Sequence, residues 1–110
     1  MKPANSYSGL RFALNEESAF RQEIILAMVL IPLAIWLPAS HLQTVTMVGS
    51  VFLILITELL NFSLEAAIDR ISYEKHCLSK RAKDYGSAAV LLSLLLCAFI
   101  YITILLEISM

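Results

Sequence analysis

Four polar side chains recur at helical spacing within an otherwise apolar stretch of the sequence. They are separated by three, four and four residues: Glu58, Asn61, Glu65 and Asp69. On an α-helix, where successive residues are about 100° apart, all four fall within about 80° of one another and share one narrow face. Carboxylate and amide oxygens are the ligands that Mg²⁺ prefers, and a carboxylate also accepts protons from hydroxyl groups. The stripe therefore predicts a site for cation binding or proton transfer.

The position of these acids in an apolar stretch favours a functional role over a structural one. A charged side chain near the centre of a bilayer costs about 2.5–3.5 kcal/mol on insertion scales, so acids there are rare without a function. Glu58 and Glu65 flank Asn61, and we expect both to function, although a protonated Glu58 packed between helices is the structural alternative. Two roles remain open for Asp69: part of the site, or an interfacial acid that is solvated or paired with Arg70.

Basic residues follow the stripe, directly before the last apolar stretch. Arg81 and Lys83 precede Asp84, and Ser87 lies one helical turn after Lys83. Two interpretations remain open for the cations. They either neutralise phosphate groups at the cytoplasmic surface, or they extend from the end of a span to the membrane interface, which is the commoner role.

A second group of acids, Glu16, Glu17 and Glu23, opens the first apolar stretch. Acids there also interact favourably with a helix N-terminus, so this group alone does not define a site. The sequence contains no GxxxxGK[ST] phosphate loop, no GxGxxG turn and no HRD or DFG motif. Any binding of nucleotide phosphates therefore uses a different scaffold.

These side chains must be positioned by a short and very apolar chain. Of its 110 residues, 59% are hydrophobic, against a usual share of about 45–50%. A water-soluble globule of this length would expose much of that surface, so we predict a membrane protein of one domain. The formal net charge is -1, and no strongly basic surface indicates a nucleic-acid partner. Cys77 and Cys97 form no metal motif, and no disulfide is expected between them.

Three apolar stretches predict three transmembrane helices, because a bilayer core of about 30 Å needs about 20 helical residues. The predicted spans are about 19–40, 44–68 and 86–107, with a cytoplasmic loop at about 69–85. Apolar residues at helical spacing among charged ones predict an amphipathic surface helix at about 5–17. The predicted fold is an all-α membrane protein with a single domain over residues 1–110.

The distribution of basic residues predicts the orientation in the membrane. All eight Lys and Arg residues lie in the segment up to residue 22 or between the second and third apolar stretches. The positive-inside rule therefore predicts that the N-terminus and the second loop are cytoplasmic and that the first loop and the C-terminus are on the outer side of the membrane.

Several sequence blocks closely resemble the signature of the bacterial integral-membrane diacylglycerol kinases. Residues 58–70 match the pattern E-x-x-N-x-x-x-E-x-x-x-D-R, and residues 81–90 match R-A-K-D-x-G-S-A-A-V. Residues 15–23 resemble the N-E-x-A-F-R-Q-E block of that family, with Glu17 at its acidic position. The resemblance begins near Tyr7 and covers nearly the whole chain. The chain departs from the pattern at Phe62 and Lys80, where a small hydroxyl residue and a glycine are usual.

The resemblance implies an enzyme that phosphorylates a membrane lipid alcohol, diacylglycerol, to phosphatidic acid. It implies ATP as the phosphate donor, Mg²⁺ as the cofactor and the bacterial inner membrane as the location. It also implies a homotrimer of three-span protomers, with active sites shared at the protomer interfaces.

Site roles follow from the same resemblance, residue by residue. Glu58 is expected to be the general base for the lipid hydroxyl, and Glu17 and Glu65 are expected to hold Mg²⁺ on the nucleotide phosphates. The residues expected to bind the nucleotide and its phosphates also include Asn61, Lys83, Asp84 and Tyr7. The residues expected to support the transfer site are Asp69, Arg81, Glu23 and Ser87.

Two other functions remain open. An undecaprenol kinase would have the same fold and a polyprenol acceptor, although the F-R-Q-E block at residues 20–23 is more similar to the diacylglycerol enzymes. A small proton-coupled exporter would use Glu58 for alternating proton and cation binding. Such exporters usually have a fourth span, and this mechanism gives no role to the charged cluster at residues 81–84.

Overall fold

The computed structural model describes residues 5–71 and 77–110, and the described chain is helical almost throughout. It contains α1 (Ser6–Glu16), α2 (Ser18–Trp36), α3 (His41–Ile71) and α4 (Cys77–Ser109). The last three are long and apolar enough to cross a membrane, which confirms the predicted all-α class and the three candidate spans.

The first two helices are separated by a single extended residue. Asn5 begins α1, because its side chain accepts a hydrogen bond from the backbone N–H of Ser8 at 3.2 Å. Glu17 then leaves the helical region, with φ -114° and ψ 107°, and α2 starts at Ser18. The break places Glu17 at the junction of the two helices.

The second helix is shorter than the predicted span of about 19–40. It continues through Pro32 but stops at Trp36, because Pro38 restricts Leu37 to an extended conformation (φ -64°, ψ 146°). A capping box starts α3: the backbone N–H of Ser40 donates to Gln43 Oε1 at 2.9 Å, and the N–H of Gln43 donates to Ser40 Oγ at 3.1 Å.

The third and fourth helices are longer than predicted. The segment predicted as a loop at about 69–85 is helical at 69–71 and again from Cys77 onward, while 72–76 lie outside the described residues. A polar sequence can stay helical beyond the bilayer when pairs one turn apart support it, as in the 2.9 Å ion pair between Lys80 and Asp84. Hydropathy therefore marked the end of the apolar region, not the end of the helix.

The core lies between α2, α3 and α4. Its buried residues are Ala27, Ala34, Met47, Val51, Ile54, Cys97, Tyr101 and Ile104. The Tyr101 hydroxyl donates to the carbonyl of Leu30 at 2.9 Å, and Ser50 Oγ lies 3.3 Å from Cys97 Sγ. Both cysteines are free, as expected. Most large apolar side chains of the three long helices face outward, where lipid or another protein chain would cover them.

Candidate active site

The polar stripe of α3 is buried at one end and exposed at the other. Glu58 is 4% exposed and Asn61 is 8% exposed, whereas Glu65 is half-buried and Asp69 is exposed. Asn61 Nδ2 donates a hydrogen bond to Glu65 Oε1 at 2.9 Å, which joins two members of the stripe one helical turn apart. Two of the four stripe residues are therefore joined directly.

Two acids from the beginning of the chain meet this face. The carboxyl groups of Glu23, on α2, and Glu58 are close enough to share a hydrogen bond. Glu17, at the break before α2, and Glu65 are close enough to repel a charge on Glu58. The packing of α2 on α3 thus places Glu23 against Glu58, with Glu17 and Glu65 within electrostatic range of Glu58. These four glutamates, Glu17, Glu23, Glu58 and Glu65, are called the acidic cluster.

Three buried oxygens in this region have no hydrogen-bond partner within residues 5–71 and 77–110. They are Glu23 Oε2, Glu58 Oε2 and Asn61 Oδ1. A buried polar atom without a partner costs about 1–3 kcal/mol, so several in one place are retained only where they have a use. Together they point to a cation, a proton or a substrate hydroxyl group as the missing partner.

The basic residues are paired in ways that the sequence did not predict. Lys83 Nζ lies 2.6 Å from Asp69 Oδ1 and is also close enough to Glu65 to attract it. Asp69 is therefore paired with Lys83 rather than with Arg70, the partner considered from sequence, because residues adjacent on a helix point about 100° apart. Asp84 is paired with Lys80 on the solvent side of α4.

Like Asp84, three other predicted site residues stay apart from the acidic cluster within this single chain. Tyr7 is 73% exposed on α1, and Arg81 and Ser87 are exposed on α4. No hydrogen bond or ion pair among the described residues joins any of them to the four glutamates. Their proposed roles need another molecule next to this face.

Arg21 has a structural role that its place in the sequence did not indicate. Its Nη1 donates to the carbonyls of Leu14 and Asn15, at 2.9 and 3.0 Å, in the last turn of α1. Helix C-terminal carbonyls lack intrahelical donors, so a basic residue just beyond the helix end is the available signal. The contact ties α1 to α2 across the break that contains Glu17.

Aromatic packing supports the same junction. The rings of Phe20 and Phe62 meet edge to face, with centroids 6.2 Å apart. Phe62 also lines a groove of about 690 Å³ between α1 and α3, together with Leu10, Phe12 and Leu59, among others. Glu17 lines the same groove, so an apolar ligand there would lie beside the acidic cluster.

The donor set suits Mg²⁺ without forming a complete cage. Within residues 5–71 and 77–110, no three acidic, histidine or cysteine side chains converge as a metal site. Proteins usually bind Mg²⁺ through one or two carboxylates together with substrate phosphates and water. Glu17 and Glu65 offer carboxylates of the kind used in such sites, and Asn61 Oδ1 is a further oxygen without a partner among the described residues.

Sequence comparison identifies relatives of this chain. A protein of Escherichia coli named diacylglycerol kinase is 46% identical over 90 residues, which cover 82% of this chain and 74% of that protein. A Pseudomonas aeruginosa protein of the same name is 46% identical over 101 residues, which cover 92% of this chain and 82% of that protein. A third, from Haemophilus influenzae, is 43% identical over 96 residues, 87% of this chain and 81% of that protein. The family model described as prokaryotic diacylglycerol kinase matches residues 4–105. The chain therefore belongs to the prokaryotic diacylglycerol kinase family, a family of lipid kinases.

Proposed function

We propose that this protein phosphorylates diacylglycerol to phosphatidic acid in the bacterial inner membrane, with ATP as donor and Mg²⁺ as cofactor. Membership of the family and the names of its relatives support the reaction class and the acceptor. Three helices long enough to cross a membrane support an acceptor that is itself a lipid. The observation that carries the proposal is the buried carboxyl group of Glu58, with an unpartnered oxygen, among three other glutamates.

Glu58 is the proposed general base. Its carboxylate takes the proton of the lipid hydroxyl as the hydroxyl oxygen bonds to the γ-phosphorus of ATP, and the bond from that phosphorus to its bridging oxygen breaks, which releases ADP. Such transfer depends mainly on alignment of the two substrates and on neutralisation of charge. Burial and contact with Glu23 restrict the Glu58 side chain to one direction, which supports a positioned base.

Mg²⁺ supplies charge neutralisation at the nucleotide phosphates, and Glu17 and Glu65 are its proposed ligands. Asn61 orients the Glu65 carboxylate through the 2.9 Å hydrogen bond. Lys83, which pairs with Asp69, is the proposed cation for the transferring phosphate. Asp84 and Tyr7 are proposed to contact the nucleotide, and Arg81 and Ser87 to support the transfer site.

A homotrimer is the proposed assembly, with sites completed between protomers. The outward apolar faces of α2, α3 and α4 and the partial exposure of Glu17 and Glu65 support it, because acids at membrane depth need cover from lipid. The proposed topology has the N-terminus and the α3–α4 connection in the cytoplasm, α1 on the membrane surface and the C-terminus in the periplasm. The basic residues at both cytoplasmic segments support this orientation.

The acceptor is tested by phosphate transfer from labelled ATP in mixed micelles that contain either diacylglycerol or undecaprenol. We expect diacylglycerol to be the better acceptor by kcat/KM. Preferred phosphorylation of undecaprenol would show that the acceptor is a polyprenol and would leave the proposed mechanism unchanged. Transfer to neither lipid, by protein that is folded and assembled, would contradict the proposed function and leave the exporter as the alternative.

A further inference from the structure

Gly86, on α4, lies directly opposite Asn61. A Cβ atom built on Gly86 would collide with Asn61 Oδ1 and lie 3.2 Å from Asn61 Cγ. It would also lie 3.4 Å from Leu64 Cδ2, an ordinary packing distance. The Asn61 amide therefore occupies the space that any side chain at position 86 would fill.

The orientation of the Asn61 side chain depends on this close approach. Its Nδ2 donates to Glu65 Oε1 at 2.9 Å, and its Oδ1 is buried without a partner among the described residues. Rotation away from α4 would break the hydrogen bond to Glu65 and move the unpartnered oxygen. Because Gly86 has no side chain, the Asn61 amide can adopt the orientation in which it donates to Glu65.

We propose that Gly86 is a positioning residue, which acts through Asn61 to hold the Glu65 carboxylate in the geometry needed for phosphoryl transfer. This inference rests on the proposed function, because it concerns the orientation of Glu65, a proposed Mg²⁺ ligand. Gly86 itself touches no reacting atom.

The collision involves a side-chain atom, which distinguishes this role from simple packing of two helix backbones. The atom in the way belongs to the end of a side chain, which can change its rotamer, rather than to the backbone. Gly86→Ala should therefore preserve the fold. Alanine also favours helix over glycine, so the change carries no intrinsic penalty in the middle of α4.

Gly49 provides a matched control. It lies in the middle of α3, and a Cβ built on it meets nothing within 4 Å. Gly49→Ala therefore repeats the same chemical change in a membrane-spanning helix without a collision.

The first experiment observes Asn61 directly and does not depend on activity. The sequence contains asparagine only at positions 5, 15 and 61, so selective ¹⁵N-asparagine labelling gives three side-chain amide groups to assign by NMR in detergent micelles. We expect Gly86→Ala to shift the Asn61 amide signals and Gly49→Ala to leave them in place. Unchanged Asn61 signals in Gly86→Ala would overturn the inference, whether or not the protein phosphorylates lipid.

The second experiment is a double-mutant cycle on turnover with Gly86→Ala and Asn61→Ala. Misplacement of a catalytic group by about 1 Å costs about 10²-fold, so Gly86→Ala should reduce kcat on that scale with thermal unfolding unchanged. Since both changes act on the same contact, the double variant should be no slower than Asn61→Ala alone. Additive losses, or near-normal kcat in Gly86→Ala, would contradict the positioning role. An inactive wild-type protein would instead contradict the proposed function, and the NMR result would still decide the role of Gly86.

Discussion

Asp69 Oδ1 on α3 accepts a 2.6 Å charged hydrogen bond from Lys83 Nζ on α4. The pair joins the C-terminal part of α3 to the N-terminal part of α4, and Lys83 is close enough to Glu65 to attract it. Both side chains are partly exposed, at 39% for Lys83 and 65% for Asp69, and solvent screening leaves exposed pairs with only a small contribution to stability. The pair is thus weak enough for Lys83 to exchange Asp69 for a phosphate group when nucleotide binds.

Lys83→Met tests that exchange. Methionine keeps most of the aliphatic length and removes the charge, so turnover should fall strongly while lipid binding and the free energy of unfolding change little. Steady-state kinetics with both substrates varied gives the measurement. Lys80→Met is the comparison on the same helix. Because Lys80 pairs with Asp84, a proposed nucleotide contact, we expect its effect in the KM for ATP rather than in kcat. Near-normal turnover in Lys83→Met would leave Lys83 as an interfacial residue only.

Glu17→Gln and Glu65→Gln test the metal ligands. An amide oxygen is a poorer ligand for Mg²⁺ than a carboxylate oxygen, so each variant should need more Mg²⁺ for half-maximal activity. The measurement is a Mg²⁺ titration of turnover at constant ATP. Glu107→Gln, an exposed acid at the far end of α4, is the control. Titration curves that match wild type in both variants would exclude the assignment.

Arg21→Met tests whether the junction of α1 and α2 positions Glu17. The change removes the two hydrogen bonds to the carbonyls of Leu14 and Asn15. We expect faster amide hydrogen exchange in α1 and a higher Mg²⁺ requirement, because Glu17 lies in the junction that loosens. Arg21→Lys, which keeps the charge but not the forked geometry, should be intermediate. Wild-type exchange and Mg²⁺ dependence in Arg21→Met would show that the contact has no such role.

The assembly is tested by mass. In mild detergent, the protein particle corrected for bound detergent should have the mass of a trimer, since the single chain leaves large apolar faces and half-buried acids uncovered. A fully active preparation that contains only monomers would rule out sites shared between protomers.

The periodicity of polar residues was enough to predict the face that carries the site, because a helix converts spacing into direction. Glu58, Asn61 and Glu65 needed no tertiary information to be placed together, and the hydrogen bond between the last two lies within one turn. The contact of Glu23 with Glu58 was different. It depends on the relative positions of α2 and α3 along their axes. Side-chain packing, such as the Phe20–Phe62 contact, determines those positions.

Helix ends and ion-pair partners were the least predictable features. Hydropathy locates the edge of the apolar region, yet α4 begins at Cys77, within the segment expected to be a loop. Asp69 found its partner 14 residues away on the next helix instead of at the adjacent Arg70. The role of Gly86 could not be predicted from the sequence, because a small residue in a span usually indicates only close helix packing. The structure shows that the Asn61 side chain occupies the space next to it.

The central claim is that Glu58 takes the proton from the lipid hydroxyl, and Glu58→Gln tests it most directly. Glutamine has nearly the same size and keeps the packing of a residue that is only 4% exposed, but it cannot accept the proton. Positioned bases contribute about 10²–10⁴-fold, so kcat should fall on at least that scale, with the affinity for MgATP largely retained. Steady-state kinetics with ATP and diacylglycerol both varied gives the result, on protein whose assembly matches wild type. Activity within a few-fold of wild type, or a change confined to the KM for ATP, would contradict the role of Glu58 as the base.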